Sequence, residues 1–93
     1  MTPEQELERA ARAEQILGDE LFKEAVREVE EAILSGIKRS PIKDAELREK
    51  LCQQLTQLEA VVGYIRSVME TGKLAEATLK QRAIEGLRKA VNW

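Results

Sequence analysis

The chain carries seventeen carboxylates and no histidine, and that imbalance frames the chemistry open to it. Glu24, Glu28 and Glu31 follow a 4-3 spacing, which places them on one face of a helix. Helical di-iron proteins bind metal with Glu plus a Glu-x-x-His motif. Here Glu28-x-x-Glu31 lacks the histidine, and the flanking positions read as solvent-facing. The trio is therefore expected to be a solvated helix face. Paired acids for glycoside chemistry would need a cleft. Phe22, Tyr64 and Trp93 are the only aromatics, and they offer little to wall one.

Without histidine, the commonest general base and the commonest transition-metal ligand are both missing. Cys52 is the single cysteine, so a Cys-His nucleophile, a zinc site and an intrachain disulfide are all ruled out. It stands beside Leu51 in an apolar-periodic segment and is expected to be a half-buried structural thiol. Neither a Walker-type nor a dinucleotide-type glycine pattern occurs. Thr71-Gly72-Lys73 could offer backbone amides to a phosphate, although a turn explains it as well. These absences predict a protein that is not an enzyme and that takes no cofactor and no metal.

Binding remains. Lys38, Arg39 and Lys43 cluster around Pro41, and Lys80, Arg82, Arg88 and Lys89 crowd the C-terminal segment. Lys38, Arg39, Lys43 and Lys73 are the candidate anion contacts, suited to a nucleotide; solubility and helix-dipole matching would also account for them. The net charge of −2 supplies no global field for nucleic acid. It is unevenly spread: residues 1–36 hold ten acids against four bases, residues 37–93 seven against eleven. Two oppositely charged helical units pairing in a bundle would explain this asymmetry, as would a basic surface meeting an acidic partner.

The elements that position these groups are all helical. Thr2 and Gln5 form a capping box, with Pro3 at the first helical position, and open a helix over 3–17. Gly18 is a stop and Asp19 an N-cap for a second helix over 20–36. Its apolar stripe is Phe22, Val26, Val29 and Ile33. Gly36 and Pro41 bracket a loop, since proline drives Ser40 out of the helical region. Asp44 then caps a third helix, expected over 45–71. Leu51, Leu55, Leu58, Val62, Ile65 and Met69 space its seam 4-3-4-3-4, with Leu47, Val61 and Val68 beside it. Gly63 in mid-helix suggests a close helix approach there. Gly72 is expected to end this helix, and a fourth runs over 74–91.

The fold class is thus all-α: an antiparallel hairpin or bundle of three to four helices in one domain over 1–93, expected to be oligomeric. A chain of this length buries little surface alone. No apolar run approaches a membrane span, and the segment MTPEQELE has no secretory apolar core. Ile84, Leu87, Val91 and Trp93 are the candidate partner contacts, spaced for a helix-in-groove mode.

The order of short motifs carries a resemblance. Arg12-Ala13-Glu14-Gln15-Ile16-Leu17 is followed by Leu21-Phe22-Lys23-Glu24-Ala25 and a Ser40-Pro41 turn. A Leu-rich helix then starts near Arg48-Glu49-Lys50-Leu51, and the stretch ends at Met69-Glu70-Thr71-Gly72-Lys73-Leu74-Ala75. Over residues 12–75 this resembles small helical accessory proteins of tailed bacteriophages, mostly of unassigned function. Many of those carry a Trp before the Pro turn, where this chain has Ile37 and Lys38. The resemblance implies a phage or prophage origin, in a bacterial cytoplasm or on a virion. The expected partner is a second copy or another phage or host protein. Two alternatives stand beside it. One is a counter-defence protein that occludes a host immune protein or sequesters an anionic nucleotide signal. The other is a nucleic-acid-associated protein using the basic C-terminal helix.

Overall fold

A computed structural model describes residues 1–91, with side chains through Lys89. The described residues are all-α: α1 spans Pro3–Gly18, α2 Glu20–Arg39 and α3 Ala45–Val91.

Local hydrogen bonds start each helix. At α1 the capping box is reciprocal: the Thr2 amide donates to Gln5 Oε1 at 2.9 Å, and the Gln5 amide donates to Thr2 Oγ1 at 3.2 Å. Asp19 caps α2 by accepting from the Phe22 amide at 2.9 Å, in extended backbone that breaks the chain from α1. Asp44 caps α3 by accepting from the Leu47 amide at 3.1 Å.

Two expected helix ends are corrected. Gly36 does not stop α2, which continues to Arg39. The stop is Ser40, held at φ −64 and ψ 138 by the proline after it. Nor does Gly72 end a helix: the segments expected over 45–71 and 74–91 are one element, α3. No glycine adopts a positive φ, so none serves as a left-handed cap. The reason for Gly72 lies in packing. A Cβ at this position would fall 2.0 Å from Ala10 Cβ on α1. Glycine there admits the neighbouring helix, and the flanking Glu70, Leu74, Ala75 and Glu76 are helix formers that carry α3 through. The close approach expected at Gly63 is not found there, where an added Cβ would meet nothing within 4 Å.

The chain divides into two compact units. One joins Met1–Gln15 to the chain from Ile65 onward, and the other is Ile16–Tyr64. In the first, α1 meets α3 through small residues: Ala10, Ala13, Gly72 and Ala75 are buried. Such contacts bring helix axes toward the close end of the usual range of about 8–10 Å. In the second, α2 lies against the beginning of α3. Ile33 is its buried residue, and Leu51 side-chain atoms sit 3.2 and 3.5 Å from where a Gly36 Cβ would stand. The ion pairs Glu20–Lys23, Glu46–Lys50 and Glu76–Lys80 are local and exposed, worth a few tenths of a kcal/mol each.

Arg48 organises the connection between α2 and α3. Its guanidinium donates to the Pro41 carbonyl at 2.5 Å, to the Ile42 carbonyl at 2.9 Å and to Ser40 Oγ at 3.4 Å. The planar fork ties these loop oxygens together, the Pro41 carbonyl also accepting from the Asp44 amide at 2.9 Å. Arg48→Ala is expected to lower stability by about 1 kcal/mol, since the loop is exposed and water replaces part of what is lost. Urea midpoints would read this, with the slope unchanged. Arg48→Lys should recover only part, because an ammonium cannot reach both carbonyls in one plane.

Candidate interaction surfaces

Apolar side chains on these helices are poorly covered. Only Ala10, Ala13, Ile33 and Ala75 are buried hydrophobics among the described residues, and no side chain is fully buried. Leu21, Val61, Tyr64, Leu74 and Leu87 are 59–73% exposed. The long seam behaves alike: Leu51, Leu55, Leu58 and Val62 in one unit, and Ile65 and Met69 in the other, are half-buried. A seam residue flanked by one helix is covered on one side only.

In the Ile16–Tyr64 unit this leaves an open groove of about 430 Å³, lined by Val29, Ala32, Ile33, Leu51, Gln54 and Leu58. Its volume is within the range of small-molecule sites, but those enclose their ligands and hold convergent polar groups. Here Gln54 is the single polar lining residue. A shallow apolar trough along two helices suits another helix better than a metabolite. Helical spacing puts Val29, Ile33, Leu51 and Leu58 in apolar stripes, and Gln54 was missing from the expected contacts. A signal for it exists: Leu47, Leu51, Gln54, Leu58 and Val61 repeat 4-3-4-3, with one polar residue inside an apolar row.

Of the candidate partner contacts, Ile84 is 44% and Leu87 is 67% exposed on α3. Every described residue from Lys80 to Lys89 is exposed. Val91 ends α3 with its side chain beyond those described, and Trp93 lies outside the described residues.

The candidate anion contacts are placed differently from expectation. Lys38 and Arg39 form the last turn of α2 and are not in the loop, where Lys43 alone remains. At that helix end their charges oppose the negative pole of the dipole, and Arg39 Nε donates to the Ser35 carbonyl at 3.4 Å. Lys73 is exposed on α3 in the other unit. On a helical projection Lys80 and Arg88 point one way and Arg82 and Lys89 another, so they form no single stripe. Lys80 is already paired with Glu76 at 3.1 Å.

Cys52 corrects another expectation: it is free and exposed, on the polar side of α3 with Glu49, Gln53, Thr56 and Gln57. Glu24, Glu28 and Glu31 are exposed on α2. Among the described residues no group of three His, Cys, Asp or Glu side chains could hold a metal ion. No described helix is long and apolar enough to cross a membrane. Compared with known proteins, the chain matches no family model, no curated protein and no solved structure.

Proposed function

We propose that this chain is a non-enzymatic helical module for protein interaction and oligomerisation, serving as an accessory protein of a phage or prophage. The observation that carries the first part is the balance of burial. Four small or medium apolar residues are buried, while large ones such as Leu21, Val61, Leu74 and Leu87 stay mostly in water. Monomeric proteins rarely leave contiguous apolar surface uncovered, and such surface marks interaction sites. Ile33 is the largest of the four among the described residues, and the seam residues Leu51, Leu55, Leu58 and Val62 are only half-buried. Their remaining apolar area is what a partner would cover. The phage setting rests on the resemblance over residues 12–75.

The two alternatives draw less support. Nucleotide sequestration relies on Lys38 and Arg39, which already serve a helix terminus, and nucleic-acid binding relies on a basic segment whose charges point several ways. Neither is favoured by a particular contact.

The test is the solution mass of the full chain at low and high salt, paired with binding of a hydrophobic dye. The expected result is a discrete multiple of 10.5 kDa that survives salt, or a monomer that binds dye and so still presents its apolar faces to some other partner. A cooperative monomer that binds no dye would remove the proposal.

A further inference from the structure

We infer that the open face of the α2–α3 hairpin receives the same face of a second copy of this chain, closing two hairpins into a four-helix bundle. This rests on the interaction reading above and names its surface and its partner.

The face is continuous and one-sided. On α3, Leu47, Leu51, Gln54, Leu58 and Val61 form a second heptad row beside the one turned to α2. On α2, the groove residues Val29 and Ala32 extend back through Ala25 to Leu21 at helical spacing. Leu21, Val29, Leu47 and Val61 are between 38% and 73% exposed. The opposite side of the pair is largely polar, with Lys23 and Glu30 on α2 and Cys52, Thr56 and Glu59 on α3, and with Leu34, 38% exposed, as its apolar exception. One self-matching face is what a closed two-fold dimer uses, whereas a filament needs two different ones.

The area suffices. α2 has 20 residues, so the face is about 30 Å long and, with two helices side by side, about 20 Å wide. Side-chain relief raises that footprint of roughly 600 Å² toward the ~800 Å² per partner that a stable dimer needs.

Charge selects this chain as its own occupant. Glu24, Glu28 and Glu31 run along the outer edge of α2, beyond Ala25 and Ala32. The corresponding edge of α3 carries Gln53, Gln57 and Lys50, with Lys50 paired to Glu46 at 3.4 Å. Setting α2 of one copy over α3 of the other puts each acidic edge against a nearly neutral, hydrogen-bonding one. Setting α2 over α2 would line up six carboxylates, so the edges also fix which helices meet. Gln54, the one polar residue in the apolar row, pins the register at some cost in stability, as a buried polar residue does in a coiled-coil seam.

Sedimentation equilibrium on the full chain tests this. The wild type is expected at twice the 10.5 kDa chain mass. Val61→Glu places a charge within the apolar row of the face at a position 59% exposed in the single chain, so folding is spared while the Kd rises at least about 30-fold. Gln54→Leu should move the other way and tighten the dimer. Thr56→Glu, on the exposed polar side of α3, should leave it unchanged. A dimer that survives Val61→Glu, or one that Thr56→Glu dissociates, overturns the pairing. A monomer at about 100 µM that still binds dye also overturns it, yet leaves the interaction reading standing; a monomer that binds none removes both.

Discussion

Gly72→Ala is expected to loosen α1 from α3 and to destabilise the chain by about 1–2 kcal/mol, although alanine is the better helix former. In an exposed helix the same exchange stabilises by about 1 kcal/mol. Gly63 and Gly86, where an added Cβ meets nothing within 4 Å, should behave that way. At Gly72 the new carbon would stand 2.0 Å from Ala10 Cβ, with Ala10 Cα and the Glu6 carbonyl oxygen both at 3.5 Å. A Cβ cannot rotate aside, so one helix must move. Overpacking of this kind costs about 1–3 kcal/mol and outweighs the propensity gain. The residues buried at this interface are alanine and glycine, which cannot readjust by side-chain rotation. Amide exchange should show it: protection over residues 3–15 falls, while protection in α2 persists. Ala10→Gly removes the offending partner atom, so the double variant should show a coupling of more than about 1 kcal/mol in a mutant cycle. Stabilisation by Gly72→Ala equal to that by Gly63→Ala would show that the two helices do not meet there.

Ile33→Ala carries the second large effect, a loss of about 2–3 kcal/mol. Ile33 is 8% exposed and is the largest buried side chain among the described residues. Buried isoleucine truncations cost about 2–5 kcal/mol, depending on how far the site relaxes. The lower part of that range applies because the groove beside Ile33 is open and water can enter the space. Val29→Ala, at a lining position 49% exposed, should cost under about 1 kcal/mol in the single chain. The contrast is concentration-dependent if hairpins pair through this groove. Association then adds stability by mass action, so Val29→Ala should become costlier as protein concentration rises. Urea midpoints at two concentrations measure both effects. Equal losses for the two variants at low concentration would mean that Ile33 is not the packing centre of α2.

Much of the secondary structure was legible because it depends on atoms close together in the chain. The Thr2–Gln5 box and the Asp19 and Asp44 caps each join residues three positions apart, and Pro41 acts on its immediate neighbour. The all-α class came equally from apolar spacing, since a heptad row needs no tertiary information to be seen.

The candidate surface was legible only as rows of residues. Leu51 and Leu58 belong both to the row turned toward α2 and to the row left open, and only the pairing of the helices decides how their faces divide. That pairing makes Val61 a surface residue, turns Cys52 to the polar side and gives Gln54 its place in an otherwise apolar trough.

Composition and spacing by themselves determined an all-helical chain, the starts of its three helices and its Pro-enforced turn. Tertiary structure decided the meaning of the glycines. Gly36 and Gly72 carried the same local signal as helix ends, yet one accommodates Leu51 and the other Ala10. A helix end is written in the residues beside it, whereas a close approach depends on a partner helix that the local pattern does not contain.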